Sequence, residues 1–145
     1  MRKRLENYIN LTNKKYRLMA EISKRERTRD EYTPTILNSG IGGTHGSGIS
    51  SPTENTAINN LTFFDEINKE IAELEKQLRK VTAELKRLDD YIEAIPDEQL
   101  KETFRLRFCQ GLSWANIAIR WYYAPASWVV IQKKVYDYIN QHDFI

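Results

Sequence analysis

The middle of the chain carries apolar residues at helical spacing, which predicts one long helix. Apolar positions between Thr53 and Ile95 alternate steps of three and four, the heptad pattern of a coiled coil, and Pro96 ends the pattern. The segment Ser51 to Glu54, a capping box with proline at the first helical position, marks the expected start. This apolar row, called the seam below, consists of Phe64, Ile67, Ile71, Leu74, Leu78, Val81, Leu85, Leu88, Ile92 and Ile95.

A second amphipathic helix is predicted from Arg2 to Arg29. Its apolar row consists of Leu5, Tyr8, Thr12, Lys15, Met19 and Ile22, widened by Ile9, Leu11, Tyr16 and Leu18. The segment from Thr33 to Pro52 has no apolar period and is rich in glycine and serine, so we expect a flexible tether between the two helices. Its glycine-rich run is not followed by the Gly-Lys-Ser/Thr of a phosphate-binding loop.

Charges beside the seam favour pairing of these two helices with each other. In the heptad register the residues that flank the seam are acidic, namely Glu70, Glu75, Glu84 and Asp89. A parallel pair of identical helices would bring these acids together, whereas Arg4 and Arg25 of the basic first helix complement them. We therefore predict a long antiparallel helical hairpin, coiled-coil-like, over residues 1–95. A homodimer of two such hairpins is the open alternative.

The last third of the chain, from Asp97 onward, has the apolar spacing of a helix-turn-helix. In this motif two short helices cross at a small residue, here Ala118, and a fixed set of neighbours is apolar. Those neighbours are Ile117 and Trp121 in the first helix, Tyr123 in the turn, and Trp128 and Ile131 in the second helix. A generic pair of helices with an aromatic core is the alternative reading. The sequence thus predicts an all-α fold with domains at 1–95 and 96–145.

Three residues shape the expected turns of this second domain. Gly111 is placed to end the preceding helix in the left-handed conformation, and Ser113 is placed to cap the next helix. Tyr122 stands where the motif usually has glycine, so we expect a looser or differently shaped turn there.

The exposed face of the second helix is the candidate DNA-binding surface. If that helix begins near Pro125, it buries Trp128, Ile131, Val135 and Tyr138, and its outward face carries Ala124, Ala126, Ser127, Val129, Val130 and Lys133, with Lys134 and Arg120 at the margins. Candidate phosphate contacts are Lys133, Lys134, Arg105, Arg107 and Arg120, with the free N–H groups near Ser113. Alanine and valine touch thymine methyl groups but cannot make the paired hydrogen bonds that separate guanine from adenine, so modest specificity is expected. A protein-contact patch at the two valines is the alternative.

Catalytic and metal-binding constellations are missing from the sequence, so we expect neither an enzyme nor a cofactor. No apolar run approaches the roughly 20 residues that span a bilayer, and no membrane partner is expected. The basic start of the chain is not followed by an apolar signal region, which predicts a cytoplasmic protein. The single cysteine, Cys109, cannot form an internal disulfide and is expected to be a core residue. A net charge of +2 does not indicate nucleic acid by itself.

The run F-R-L-R-F-C-Q-G-L-S-W-A-N-I-A (Phe104 to Ala118), followed by S-W-V-V-I-Q-K-K-V (Ser127 to Val135), resembles the fourth region of bacterial sigma factors. Together with the basic first helix, the tether and the heptad helix, the chain resembles small phage and prophage transcriptional regulators of Gram-positive bacteria, of the ArpU/RinA type. The resemblance implies binding of double-stranded DNA at phage promoters, alongside host RNA polymerase, in the cytoplasm of a bacterial host. By position it places Ser113 and Trp114 at the start of the supporting helix, and Ser127, Val129, Val130, Lys133 and Lys134 on the reading helix. The usual acid is replaced by Asn116.

A DNA-binding regulator of transcription is therefore the leading hypothesis. A small terminase-like protein that marks phage DNA for packaging is the second, and it predicts a large ring oligomer. A protein-interaction adaptor is the third, and it predicts no salt-dependent affinity for DNA.

Overall fold

A computed structural model describes residues 1–42 and 50–143 of the chain, with side chains described for 1–32 and 62–143. All regular structure in these residues is helical, which confirms the predicted all-α fold. The helices are α1 (Arg2–Glu6), α2 (Tyr8–Gly42), α3 (Ser50–Glu93), α4 (Glu98–Phe104), α5 (Trp114–Arg120) and α6 (Trp128–Gln141). A π-helical turn, Arg105–Cys109, extends α4, and a 3₁₀ turn, Pro125–Ser127, leads into α6.

The ends of the first two long helices differ from the sequence prediction. The first helical stretch breaks at Asn7, which separates α1 from α2. The prediction of irregular chain from Thr33 is wrong as far as Gly42, because α2 continues to that residue. The middle of the predicted tether, residues 43–49, lies outside the described residues. Helix α3 already includes Ser50, ahead of the predicted capping box, whose side chains lie outside the described set.

The chain divides into two compact units. One, called the terminal unit below, contains residues 1–15 and 81–145, and the other, called the middle unit, contains residues 16–80. The domain boundary predicted near residue 95 falls inside the terminal unit. The start of the chain and the end of α3 therefore belong to the same unit as α5 and α6.

The middle unit is a pair of helical segments from α2 and α3. Its core contains Ile22, Ile67 and Ile71, with Phe63, Leu74 and Leu78 packed against it. Arg25 donates to Glu70 at 3.0 Å and Arg29 donates to Asn68 at 3.0 Å. As the residue number rises along α2, the number of its partner falls, so these two segments run antiparallel. Such exposed pairs contribute only tenths of a kcal/mol each, so apolar burial supplies most of the stability.

The terminal unit holds the larger core. Its fully buried side chains are Phe104, Leu5, Leu88, Ile92, Ile95, Leu106, Ile117 and Val135. At the edge of this core Arg4 donates two hydrogen bonds to Glu84, at 2.7 and 3.0 Å. These bonds lower the pKa of the Glu84 carboxyl below its usual value. The two arginines singled out from the sequence thus contact two of the acids that flank the seam.

The seam is buried along the side chains that the structure describes. Every member from Phe64 to Ile95 is buried or half-buried. The apolar row of the first helix needs a correction, because Leu18 is 4% exposed while Met19 is 44% exposed. Both residues fit a step of three or four from Lys15, so the sequence pattern alone does not show which of the two is buried.

Tyr91 carries a buried hydroxyl that has no hydrogen-bond partner among the described residues. Burial raises the pKa of this hydroxyl from 10.0 to about 12. We expect Tyr91→Phe to raise the free energy of unfolding by about 1 kcal/mol, because it removes an unsatisfied buried group. The folded pKa lies above the unfolded value, so the wild type loses stability as the pH rises from 10 to 12.

By pH 11, one unit above the unfolded pKa, that loss should reach about 1.4 kcal/mol in the wild type and be smaller in the Phe variant. Urea unfolding followed by tryptophan fluorescence at pH 7 and pH 11 measures both effects. Equal stability of the two proteins at both pH values would contradict the assignment of an unsatisfied hydroxyl.

Candidate nucleic-acid interface

Helix α5 begins and ends as its local sequence requires. Ser113 caps it, with the Ser113 side chain accepting from the backbone N–H of Asn116 at 3.2 Å. Gly111, just before the cap, has φ +75°. Both predictions from the sequence are confirmed. A Cβ at Gly111 would lie 2.9 Å from Cδ1 of Ile9, so the left-handed backbone and the close neighbour both favour glycine.

The loop between α4 and α5 is fastened by an arginine and a tryptophan. Arg107 donates to the carbonyl of Leu112 at 3.0 Å, and its guanidinium lies 4.6 Å from the ring centre of Trp114. Trp114 is 7% exposed and also meets Tyr136 of α6 edge-on at 5.8 Å. The Trp114 indole therefore supports the loop from the core side.

Helices α5 and α6 pack around Ala118, which is fully buried in the terminal core together with Ile117, Ile131 and Val135. A larger side chain at Ala118 would have to displace these neighbours, which is the role the sequence assigned to a small residue. Trp121 closes the end of α5 and donates its indole N–H to Thr103 at 3.2 Å. The helical chain resumes at Pro125, as predicted.

Two apolar positions of the predicted motif are not buried. Tyr123 is 49% exposed and Trp128 is 38% exposed, so the prediction that Trp128 lies on the buried face of the second helix is wrong. Tyr123 lies in the turn after α5, and Trp128 is the first residue of α6. The buried stripe of α6 consists instead of Ile131, Val135 and Ile139, with Tyr138 half-buried.

The turn between α5 and α6 is formed by a tyrosine in a left-handed conformation. Tyr122 has φ +62° and is 97% exposed. The N–H of Tyr123 donates to the carbonyl of Ala118, and the N–H of Tyr122 to that of Ile119, both at 2.9 Å. This pair of bonds is the Schellman motif, which usually has glycine at the position of Tyr122. The expectation of a looser turn is wrong, because the usual turn forms despite the tyrosine.

We expect Tyr122→Gly to raise the free energy of unfolding by about 0.5 to 1 kcal/mol. The left-handed conformation costs a residue with a Cβ about 1–2 kcal/mol, and the greater freedom of glycine in the unfolded chain offsets part of the gain. Urea unfolding measures the difference, with Tyr123→Gly as the matched control, since only Tyr122 has a positive φ among the described non-glycine residues. A destabilised Tyr122→Gly protein would show that the greater freedom of glycine in the unfolded chain outweighs the relieved strain.

The outward face of α6 combines apolar and basic side chains. Val129 is 52% and Val130 58% exposed, and Lys133 and Lys134, one turn later, are exposed as well. Residues three and four apart share a helix face, so the valines and lysines form one continuous stripe opposite the buried stripe. We call Ala126, Val129, Val130, Lys133 and Lys134 the α6 face.

The cations of this region differ in what holds them. No acidic side chain in the described part of the chain forms an ion pair with Lys133, Lys134 or Arg120, and all three are exposed. Arg105, in contrast, is paired with Glu93 and Glu102. Arg107 is stacked on Trp114. Lys133, Lys134 and Arg120 are therefore the cations of this region that can bind a phosphate without giving up another partner.

The remaining candidate residues lie around this face. Ala126 is exposed and Ser127 half-buried in the 3₁₀ turn that leads into α6. Ser113 is exposed but its hydroxyl oxygen is used in capping α5. The structure thus brings the α6 residues together on one surface and leaves Trp114 in the core.

A groove between α4 and α6 was not anticipated from the sequence. It has a volume of about 350 Å³, and its lining includes Thr103, Trp121, Tyr123, Lys134 and Asp137. Lys134 therefore borders both the groove and the α6 face. The groove arises from contacts between α4 and α6 that are distant in sequence, for which single-sequence spacing gives no signal.

Comparison with protein-family models, with curated proteins and with solved structures found no match to this chain. Within the described residues, no group of three or more histidine, cysteine or acidic side chains is arranged to hold a metal ion. No described helix has the length and apolar character needed to cross a membrane.

Proposed function

We propose that the protein is a DNA-binding regulator of transcription that places the α6 face in the major groove of double-stranded DNA. The observation that carries the proposal is the pairing of an exposed Val129–Val130 stripe with cations that have no acidic partner among the described residues. Helix α6 is long enough to enter a groove, and α5 packs across its opposite side. The proposed role in transcription is what the resemblance to the fourth sigma region implies, and the proposed phage origin is what the resemblance to ArpU/RinA-type regulators implies.

The charge arrangement supports contact with phosphates. Lysine and arginine side chains already paired with carboxylates would have to give up one partner to gain another, whereas Arg120, Lys133 and Lys134 need not. One acid, Asp137, lies on the outward side of α6 one turn beyond Lys133. Reading helices contact bases through their N-terminal residues, so Asp137 lies toward the end that points away from the bases.

The test is a binding titration with short duplexes of mixed sequence at several salt concentrations. Three phosphate contacts predict a slope of log K against log salt of about −2.7, which is about a 40-fold loss of affinity between 50 and 200 mM salt. A slope near zero, or no binding at 50 mM salt, would contradict the proposal.

A second candidate function is that of a protein-interaction adaptor, which the exposed aromatic turn favours. Tyr122, Tyr123 and Trp128 lie within seven positions of one another and are each more than a third exposed. Exposed aromatic groups of this kind are enriched at protein interfaces. The same titration separates the two functions, because the adaptor predicts no salt-dependent affinity for duplex DNA.

A further inference from the structure

The base-facing part of α6 lacks the groups that read hydrogen-bond patterns. Ahead of Lys133 the α6 face contains only Ala126, Val129 and Val130, none of which carries a polar side-chain atom. Ser127 is half-buried, and Trp128 lies on the other side of the helix, three residues before the buried Ile131. Discrimination of guanine from adenine by paired hydrogen bonds is therefore not available to these positions.

The major groove offers one apolar group to such a face. Each thymine presents its C5 methyl group there, and a cytosine does so only when it is methylated at C5. Val129 and Val130 are adjacent in sequence and both more than half exposed. Their exposed methyl groups would be removed from water if an apolar group of a bound partner covered them.

We infer that the α6 face recognises pyrimidine C5 methyl groups in the major groove, and so selects thymine-rich duplex DNA. This inference rests on the proposed function. Each methyl group that is buried against a valine contributes about as much as one buried methylene, roughly a fourfold gain in affinity. Two valines that each meet a methyl group predict a gain of about tenfold to 15-fold, with the salt dependence unchanged.

The experiment compares duplexes that differ only in the methyl group. Alternating A–T duplexes are compared with alternating A–U deoxyribose duplexes of equal length, in which uracil replaces thymine. Alternating inosine–cytosine duplexes are compared with their 5-methylcytosine counterparts. This comparison shows whether the methyl group of 5-methylcytosine is recognised as well as that of thymine. The wild type should bind the A–T duplex about tenfold more tightly than the A–U duplex at the same salt.

A double Val129→Ser, Val130→Ser variant should bind the A–T and A–U duplexes equally and keep the wild-type salt slope. Ile119→Ser is the matched control, because Ile119 is 54% exposed on α5 and lies outside the α6 face. Circular dichroism establishes that all three proteins are folded.

Three results would overturn the inference in distinguishable ways. Salt-dependent binding of the wild type with equal affinity for A–T and A–U duplexes would reject methyl recognition and leave the DNA-binding proposal standing. Binding to none of the four duplexes would reject both. A double-serine variant that keeps the preference for the A–T duplex would assign the methyl contact to other residues and reject the role of the two valines.

Discussion

Replacing Lys133 and Lys134 together by glutamate is expected to weaken duplex binding at least 100-fold at 50 mM salt while the protein stays folded. Two attractive phosphate contacts become two repulsive ones on the same face, and the loss of two contacts alone would lower the salt slope by about 1.8. Both side chains are exposed and have no acidic partner among the described residues, so the substitutions break no ion pair of the fold. Fluorescence anisotropy with a labelled duplex measures the affinity.

The matched control is Lys76→Glu with Lys80→Glu on α3. These lysines are exposed too, and the control changes the net charge by the same amount. A control that binds DNA within a few-fold of the wild type would show that the loss comes from the α6 face and not from the overall charge. Equal losses in both double variants would instead place the attraction in the general field of the protein.

The sequence was informative where one helix repeats one pattern over many turns. The seam from Phe64 to Ile95 is inward-facing throughout because every step of three or four returns the side chain to the same face. Pairing of Arg4 with Glu84 and of Arg25 with Glu70 follows from the same regularity, since flanking positions are as periodic as the seam. The positive φ of Gly111 and the capping of α5 by Ser113 were also predictable. Each depends on the backbone conformation of only one or two residues, and the residue type strongly favours that conformation.

Prediction failed where burial depends on what lies across from a residue. Tyr123 and Trp128 have the apolar character of core positions, yet Tyr123 is 49% exposed and Trp128 38% exposed. The left-handed Tyr122 follows from two backbone hydrogen bonds that outweigh its preference for other conformations. The exposure of Val129 and Val130, on which the candidate site depends, follows from the helix period for a helix that begins near Pro125.

Grouping of the chain into units is set by contacts between distant segments. Leu5 and Leu88 lie in the same core cluster as Phe104 and Val135, so the two ends of the chain and the end of α3 stabilise the scaffold of the α6 face. Spacing within one helix carries no information about such a partner, which is why the predicted boundary followed Pro96.

Truncating Phe104 should have the largest effect on the stability of this scaffold. Phe104 is fully buried, and its ring centre lies 5.5 Å from Phe108, 5.6 Å from Tyr138 and 6.4 Å from Tyr91, so it connects residues of α3, the π-helical turn and α6. We expect Phe104→Ala to lower the free energy of unfolding by about 3–5 kcal/mol, from lost burial and the cavity that remains.

Tryptophan fluorescence during urea unfolding reports this loss selectively, because all three tryptophans of the chain, Trp114, Trp121 and Trp128, belong to the terminal unit. Ile119→Ala is the control, since it also removes an apolar side chain but one that is 54% exposed, and it should cost less than about 0.5 kcal/mol. A loss below 1 kcal/mol in Phe104→Ala would mean that the aromatic cluster does not hold α6 in place. In that case the α6 face would have to be supported by the contacts of Ile117, Ala118 and Val135 alone.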